Sequence, residues 1–370
     1  MILNKEDTDY AKDKIWDYYS NFARIDDYFR ESKIDTLNNT AARLWPIEDE
    51  FFHDFSIAPN DMNFELVETS KSVFMDLFVQ IGSFPADDNP GKNMRFLVKE
   101  TTTDTIAGFV RVGSPTINSK PRNVMFGAPP DLDKLNKHII MGFCIVPAQP
   151  FGYNYLGGKL LTLLCCSHRM REMVNDRYGV EICGFETTSL YGNIKGCSQY
   201  DGLKPFVRHV GETESRFLLT MVGKPFTELN NWFQEKNNGE PLIHKEASSR
   251  KLKTQTKMIS IIKASLKEQG RDLEYEQFCQ FIEDSIEQLT TRKRQYWSDY
   301  GYANVVDYMN GKADSLIKKD NYDKYEFDNV VNWWKKKATK RYEKLKSEDR
   351  LRTESEVWTV DNMNKIDIIR

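Results

Sequence analysis

Residues 139–202 constrain this chain more than any other stretch. The run IIMGFCIVP (139–147) is apolar almost throughout, as a central strand covered on both faces is. A glycine-bearing loop, QPFGYNYLGG, follows it, then an amphipathic helix expected from about Leu156 to Arg177, then a second strand at Val180–Thr188. Strand, loop, helix and strand in this order specify an α/β layer. At such a junction the backbone N–H groups of the loop and helix start are able to face a phosphate. The competing reading is a tight turn in which Gly157 and Gly158 let the helix approach the sheet.

The rest of the chain organises around that block. Residues 5–35 carry apolar and aromatic positions at helical spacing, which predicts an N-terminal helix or helix pair. A short strand is expected at Phe64–Val67 and a helix from Ser70 to Ile81. Two strands at 94–101 and 106–115 form a hairpin across Thr102–Thr105. A short strand at Asn123–Phe126 and a helical turn at Asp131–Lys137 come next. Phe206–Val210 and Arg216–Val222 are expected to pair across Gly211-Glu212-Thr213. From about Lys224 the pattern is helical, ending in a basic, aromatic helix that begins near Phe327. The division expected is an N-terminal helical extension (1–59), an α/β domain (60–223) and a C-terminal helical domain (224–370). A length of 370 residues exceeds the usual single core and agrees with more than one domain.

Six cysteines with no CxxC pair, mostly in apolar segments, point to a reducing, cytoplasmic protein without a disulfide framework. No run approaches the roughly 18 apolar residues of a membrane span, so no membrane partner is expected. The five histidines form no ligand spacing, and no metal site is expected. His168, beside Arg169, is read as a boundary residue before a ligand. No P-loop, nucleophile elbow or kinase signature is present.

The strand after the helix ends in Glu186, Thr187, Thr188, Ser189 and Tyr191, polar groups that a purely structural strand end does not require. Glu186 is a candidate general base, because a carboxylate at the end of a buried strand has its pKa raised by desolvation. The alternative is a carboxylate that caps the next loop through backbone N–H bonds. Ser189 and Tyr200 are further candidates for catalysis.

The order of elements resembles the GNAT acyltransferase architecture, a mixed central sheet with flanking helices. Gln149-Pro-Phe-Gly152-Tyr-Asn154 follows the first four positions of that family's Gln/Arg-x-x-Gly-x-Gly/Ala loop; a second register places Gly157 on the final glycine. The resemblance implies an acyl-CoA donor, such as acetyl-CoA, held by Val146, Gln149, Gly152, Tyr153, Asn154, Gly157, Gly158 and Lys159. It also implies that a tyrosine, Tyr191 or Tyr200, protonates the leaving thiolate. Residues 94–215 resemble the DruA family of Druantia anti-phage defence. The resemblance rests on PRNVMFGAP, the strand ending at Pro147, Ser167-His168 with Arg169 and Arg171, Asp176 before Tyr178-Gly179, Glu186-Thr187, and Gly196 before Tyr200. It implies a phage or anti-phage setting, in the host cytoplasm if the chain is phage-encoded.

Net charge is −3, so any affinity for nucleic acid must come from local segregation of charge. The last helix supplies it: Lys335, Lys336, Lys337, Lys340 and Arg341 follow Trp333 and Trp334. Lysines neutralise phosphates and aromatics stack on exposed bases; the alternative is a solvated basic face anchored by the tryptophans. Two functions follow. One is acyl or related group transfer, onto a nucleic-acid base or nucleotide. The other is a non-catalytic DNA-binding or defence-associated module whose cleft is filled by side chains.

Overall fold

In the computed structural model the described residues are 1–40, 50–83, 90–190, 192, 195–213, 220–244, 246–247, 250–289 and 292–362. Two compact units divide them: residues 1–39 with 215–291, and residues 40–214 with 292–366. This division is not the linear one at 59 and 223, because helices far apart in sequence share one apolar interior.

The first unit contains α1 (Lys5–Ser20) and α2 (Ile25–Thr40). Asn4 caps α1 by accepting from the Asp7 N–H.

The second unit is built on a seven-stranded mixed sheet. Its elements begin with β1 (Phe64–Glu68), α3 (Lys71–Phe78), β2 (Asn93–Glu100) and β3 (Thr105–Gly113). Next come α4 (Lys120–Phe126), α5 (Leu132–His138) and β4 (Ile139–Pro147). The helical layer follows as α6 (Phe151–Tyr155), α7 (Gly157–Cys165) and α8 (His168–Tyr178). Then come β5 (Gly184–Ser189) and β6 (Arg208–Glu212).

The chain then returns to the first unit with α9 (Gly223–Lys236), α10 (Arg250–Glu268) and α11 (Asp272–Leu289). Trp16 of α1 stacks on Phe281 of α11 with ring centroids 3.9 Å apart. The second unit closes with β7 (Arg294–Ser298), α12 (Val305–Met309) and α13 (Phe327–Ser347).

Strand order is β1-β2-β3-β4-β5-β7-β6, and every pairing is antiparallel except β4 with β5. Every residue of β3 is buried, so the sheet centre is covered on both faces. One cover includes Phe96, Val110, Phe151, Leu161 and Trp334; the other includes Phe74, Phe78, Leu97, Phe109 and Cys144.

Three local expectations differ from the structure. Asn123–Phe126 belongs to α4 and not to a strand: Ser119 accepts from the Arg122 N–H as N-cap, Pro121 sits in the first turn, and Gly127 ends the helix at φ 78°. The single helix expected from Leu156 to Arg177 is broken in two, and a further helical turn, α6, precedes it in the loop. Leu156 takes a left-handed φ of 57° between α6 and α7, and Ser167 accepts from the Met170 N–H to start α8 anew. Finally, β6 pairs with β7, drawn from the stretch expected to be helical; the proposed partner lies partly in 216–219, outside the described residues.

Candidate functional site

The parallel ladder between β4 and β5 runs only from Ile139↔Gly184 to Gly142↔Thr187, while β4 continues to Pro147. Beyond it, Gln199 Nε2 donates to the Ile145 carbonyl at 3.0 Å. Glu186, opposite Met141, and Thr187, opposite Gly142, are the last residues of β5 in this ladder.

Strand alternation decides which of the candidate residues meet. Glu186 and Gln295 project to one face, where Arg122 of α4 joins them. Arg122 Nη1 donates to Glu186 Oε1 at 2.7 Å, and Gln295 Nε2 donates to Oε2 at 2.8 Å. Ser119 Oγ donates in turn to Gln295 Oε1. The other Arg122 terminal nitrogen donates to the carbonyls of Thr116 (2.9 Å) and Ile117 (2.6 Å). Arg122 is 0% and Glu186 1% exposed, so both charges are out of water. Thr187 projects to the opposite face and donates to the Gly142 carbonyl at 2.9 Å. Tyr200 bonds to Thr187 there and packs edge-on against Tyr296, centroids 5.1 Å apart. The sheet therefore stands between Glu186 and Tyr200, and the two do not address one reacting atom from these positions.

Burial pushes the Glu186 carboxyl up to about 7 against the downward pull of Arg122 and Gln295. Burial likewise pushes the Tyr200 phenol up to about 12. Ser189 is half-buried and accepts from the Gly192 N–H at 3.0 Å. Tyr191 lies outside the described residues. His168 is 1% exposed, stacks on Tyr322 with centroids 4.1 Å apart, and has its pKa lowered to about 4, first by burial and then by Arg171.

The Glu186 shift carries a testable sign. A carboxyl raised from 4.5 to about 7 in the folded state contributes stability that is complete below pH 4.5 and lost as pH rises through 7. Thermal melts of the parent and of Glu186→Gln between about pH 5 and 8 are expected to diverge, the parent losing ground with rising pH. His168 titrates equally in both proteins and cancels in the comparison. A pH-independent difference refutes the assignment.

The strand-to-helix loop is closely filled. Gln149 Oε1 accepts from the Tyr153 N–H at 3.1 Å. A β-carbon on Gly152 would stand 2.4 Å from Gln149 Nε2, one on Gly157 2.6 Å from the Phe151 ring, and one on Gly158 2.1 Å from Gln199 Oε1. These glycines let side chains approach the backbone, so a valine at Gly157 perturbs packing before it touches any ligand. Asn154 is 0% exposed and exchanges two hydrogen bonds with the Arg352 backbone. Lys159 donates to the carbonyls of Gln199 and Asp201, and burial lowers its pKa. Val146 is half-buried on the same end of β4.

The basic helix α13 lies against this loop. Its apolar face buries Val330, Val331, Trp334, Ala338, Tyr342 and Leu345. Trp334 Nε1 donates to the carbonyls of Tyr155 (3.0 Å) and Leu156 (3.3 Å), satisfying the C-terminal end of α6. The guanidinium carbons of Arg341 and Arg352 stand 4.7 and 4.0 Å from the Tyr153 ring centroid. Arg350 approaches the Tyr153 hydroxyl at 3.4 Å. Loop and basic helix, taken separately in the sequence, thus form one surface. Between 335 and 352 nine lysines and arginines face three acids, in a chain whose net charge is −3. Among the described residues, Lys336 and Lys340 are exposed and have no acidic partner within ion-pair distance, while Arg350 pairs with Glu348 and Arg352 with Glu356. Lys335 donates to the Asn60 carbonyl at 3.0 Å, and Lys337 lies over Trp333.

Sequence reasoning missed Arg122, Gln295, Arg350 and Arg352. Arg122 sits in the PRNVMFGAP segment and so was within view, but nothing local pairs it with a carboxylate 64 residues away. Arg350 and Arg352 fall after the basic run and lie among acids.

Among the described residues no helix is long and apolar enough to cross a membrane. A family model described as Druantia protein DruA matches residues 18–195. No curated protein and no solved structure matches the chain.

Proposed function

Because this chain is DruA-like over residues 18–195, we propose that it is a defence-associated module that binds nucleic acid through the surface shared by α6 and α13. The observation that carries the reading is the convergence of Arg341, Arg350 and Arg352 on Tyr153. Exposed Lys336, Lys337 and Lys340 extend that positive surface along α13. Such a surface draws its affinity from counterion release and positions phosphates without reading sequence. The filled loop and the fully engaged Glu186 carboxylate favour binding over chemistry at the strand ends.

The test is fluorescence anisotropy with a labelled DNA of unrelated sequence, from ~50 to ~200 mM salt. The parent is expected to bind with a steep salt dependence. Lys336→Glu, Lys337→Glu and Lys340→Glu together are expected to weaken binding at least ~10-fold at low salt and to lower the salt slope by about 3. A triple variant that binds like the parent refutes the surface.

One observation favours a second reading, group transfer from an acyl-CoA donor: β4 outruns its parallel ladder with β5. The donor would lie against Val146 and the loop 149–159, with Gln199 displaced from Ile145. Glu186 and Tyr200 would then need rearrangement to share a substrate. Calorimetry with acetyl-CoA tests this, and the absence of heat removes that donor.

A further inference from the structure

We infer that the α6–α13 surface takes the phosphate backbone of double-stranded nucleic acid and not unpaired bases; this rests on the nucleic-acid reading above. A surface that reads single strands needs open aromatic faces, each worth about 1–3 kcal/mol per stacked base. Here the aromatic rings are already engaged. Tyr153 carries two guanidinium groups at 4.0 and 4.7 Å from its centroid. Trp333 carries the Lys337 ammonium at 4.6 Å and meets the Phe206 ring edge-on at 5.4 Å. Trp334 is 0% exposed. Tyr342 is buried and stacks on Tyr155, centroids 5.2 Å apart and planes within 13°.

What remains toward solvent is cationic in excess: Lys336, Lys340, Lys344, Lys346, Arg350 and Arg352 are all exposed, against the exposed acids Glu343, Glu348 and Asp349. Three of the cations are partly neutralised: Glu348 stands 2.7 Å from Arg350 and 3.8 Å from Lys344, and Glu356 stands 3.0 Å from Arg352. Those pairs exchange their carboxylate for phosphate at little cost, since exposed ion pairs are worth less than about 1 kcal/mol. A duplex offers one charge per ~1.7 Å of axis, twice the density of one of its strands. A surface with cations in excess and no open ring therefore gains more from the duplex, whereas one built of open rings gains more from the single strand.

The experiment compares the full chain against a duplex of about 20 base pairs and an oligothymidine of about 20 nucleotides, at ~100 mM salt. The duplex is expected to bind at least ~10-fold more tightly, as its charge density requires. Tryptophan emission is expected to stay unquenched by oligothymidine, and Trp333→Leu to leave duplex affinity within about twofold, because phosphate contacts do not use the ring. Equal or tighter binding of oligothymidine, with quenching and its loss in Trp333→Leu, overturns the duplex assignment while leaving the nucleic-acid reading standing. Failure to bind either probe overturns both.

Discussion

At about pH 8, above the raised Glu186 pKa, Arg122→Leu is expected to lower folding stability by about 3–5 kcal/mol, the cost of leaving a buried charge without its partner. Glu186, 1% exposed, would keep only the Gln295 donor on one oxygen and face apolar surroundings on the other. Chemical denaturation of the parent and the variant measures the loss. The double variant Arg122→Leu with Glu186→Leu is the control. Replacing a buried ion pair by apolar groups of similar volume is often neutral, so the double variant should recover most of the loss. A single variant as stable as the parent would show that the pair is not charged in the folded protein. The result bears on function, because a carboxylate held by two donors in the interior is built as a fixed strut between β5, β7 and α4.

Trp334→Ala is the second large effect, at about 3–5 kcal/mol for loss of a fully buried tryptophan. The indole fills the space between α13 and α6, makes an edge contact with Phe64 at 5.2 Å, and donates to two carbonyls at the end of α6. Truncation removes the packing and takes the indole donor from the Tyr155 carbonyl, while the Leu156 carbonyl keeps the Lys159 and Leu160 N–H groups. Trp334→Phe separates the parts: it keeps much of the volume and loses the hydrogen bond, and is expected to cost about 1–3 kcal/mol. Denaturation curves distinguish the two. If Trp334→Ala unfolds at the parent's denaturant concentration, α13 is not anchored through this residue, and the joining of Tyr153 to the basic helix loses its support.

The central hairpin was legible because its strands are adjacent in sequence and both are dense in buried apolar residues, Met94, Phe96, Leu97 and Val98 on one and Ile106, Phe109, Val110 and Val112 on the other. The terminal basic helix was legible for a similar reason, with apolar residues at helical spacing and a start at Phe327. The division of the long helix was not, because its break comes from capping at Ser167 and apolar periodicity runs across it. β7 was missed because RQYWS is a short strand after a long helical stretch, and its identity depends on neighbours β5 and β6 that lie elsewhere in the chain.

The polar strand end was visible in sequence, but its meaning was not. A period of two implies that Glu186 and Thr187 point to opposite faces, yet which groups wait on each face is a property of the assembled sheet. Arg122 and Gln295 come from positions 64 and 109 residues distant.

By itself the sequence determined the α/β class, the covered central strand, the DruA-like region and the segregation of positive charge into the last helix. These are local or compositional properties, carried by periodicity and by runs of like residues. Only the tertiary structure decided that the Glu186 carboxylate is spent on Arg122 and Gln295, that the loop glycines receive side chains, and that Arg341, Arg350 and Arg352 meet at Tyr153. Those outcomes depend on which distant segments share a face, and that is settled by burying apolar surface, which brings charges together without any local mark in the residues that carry them.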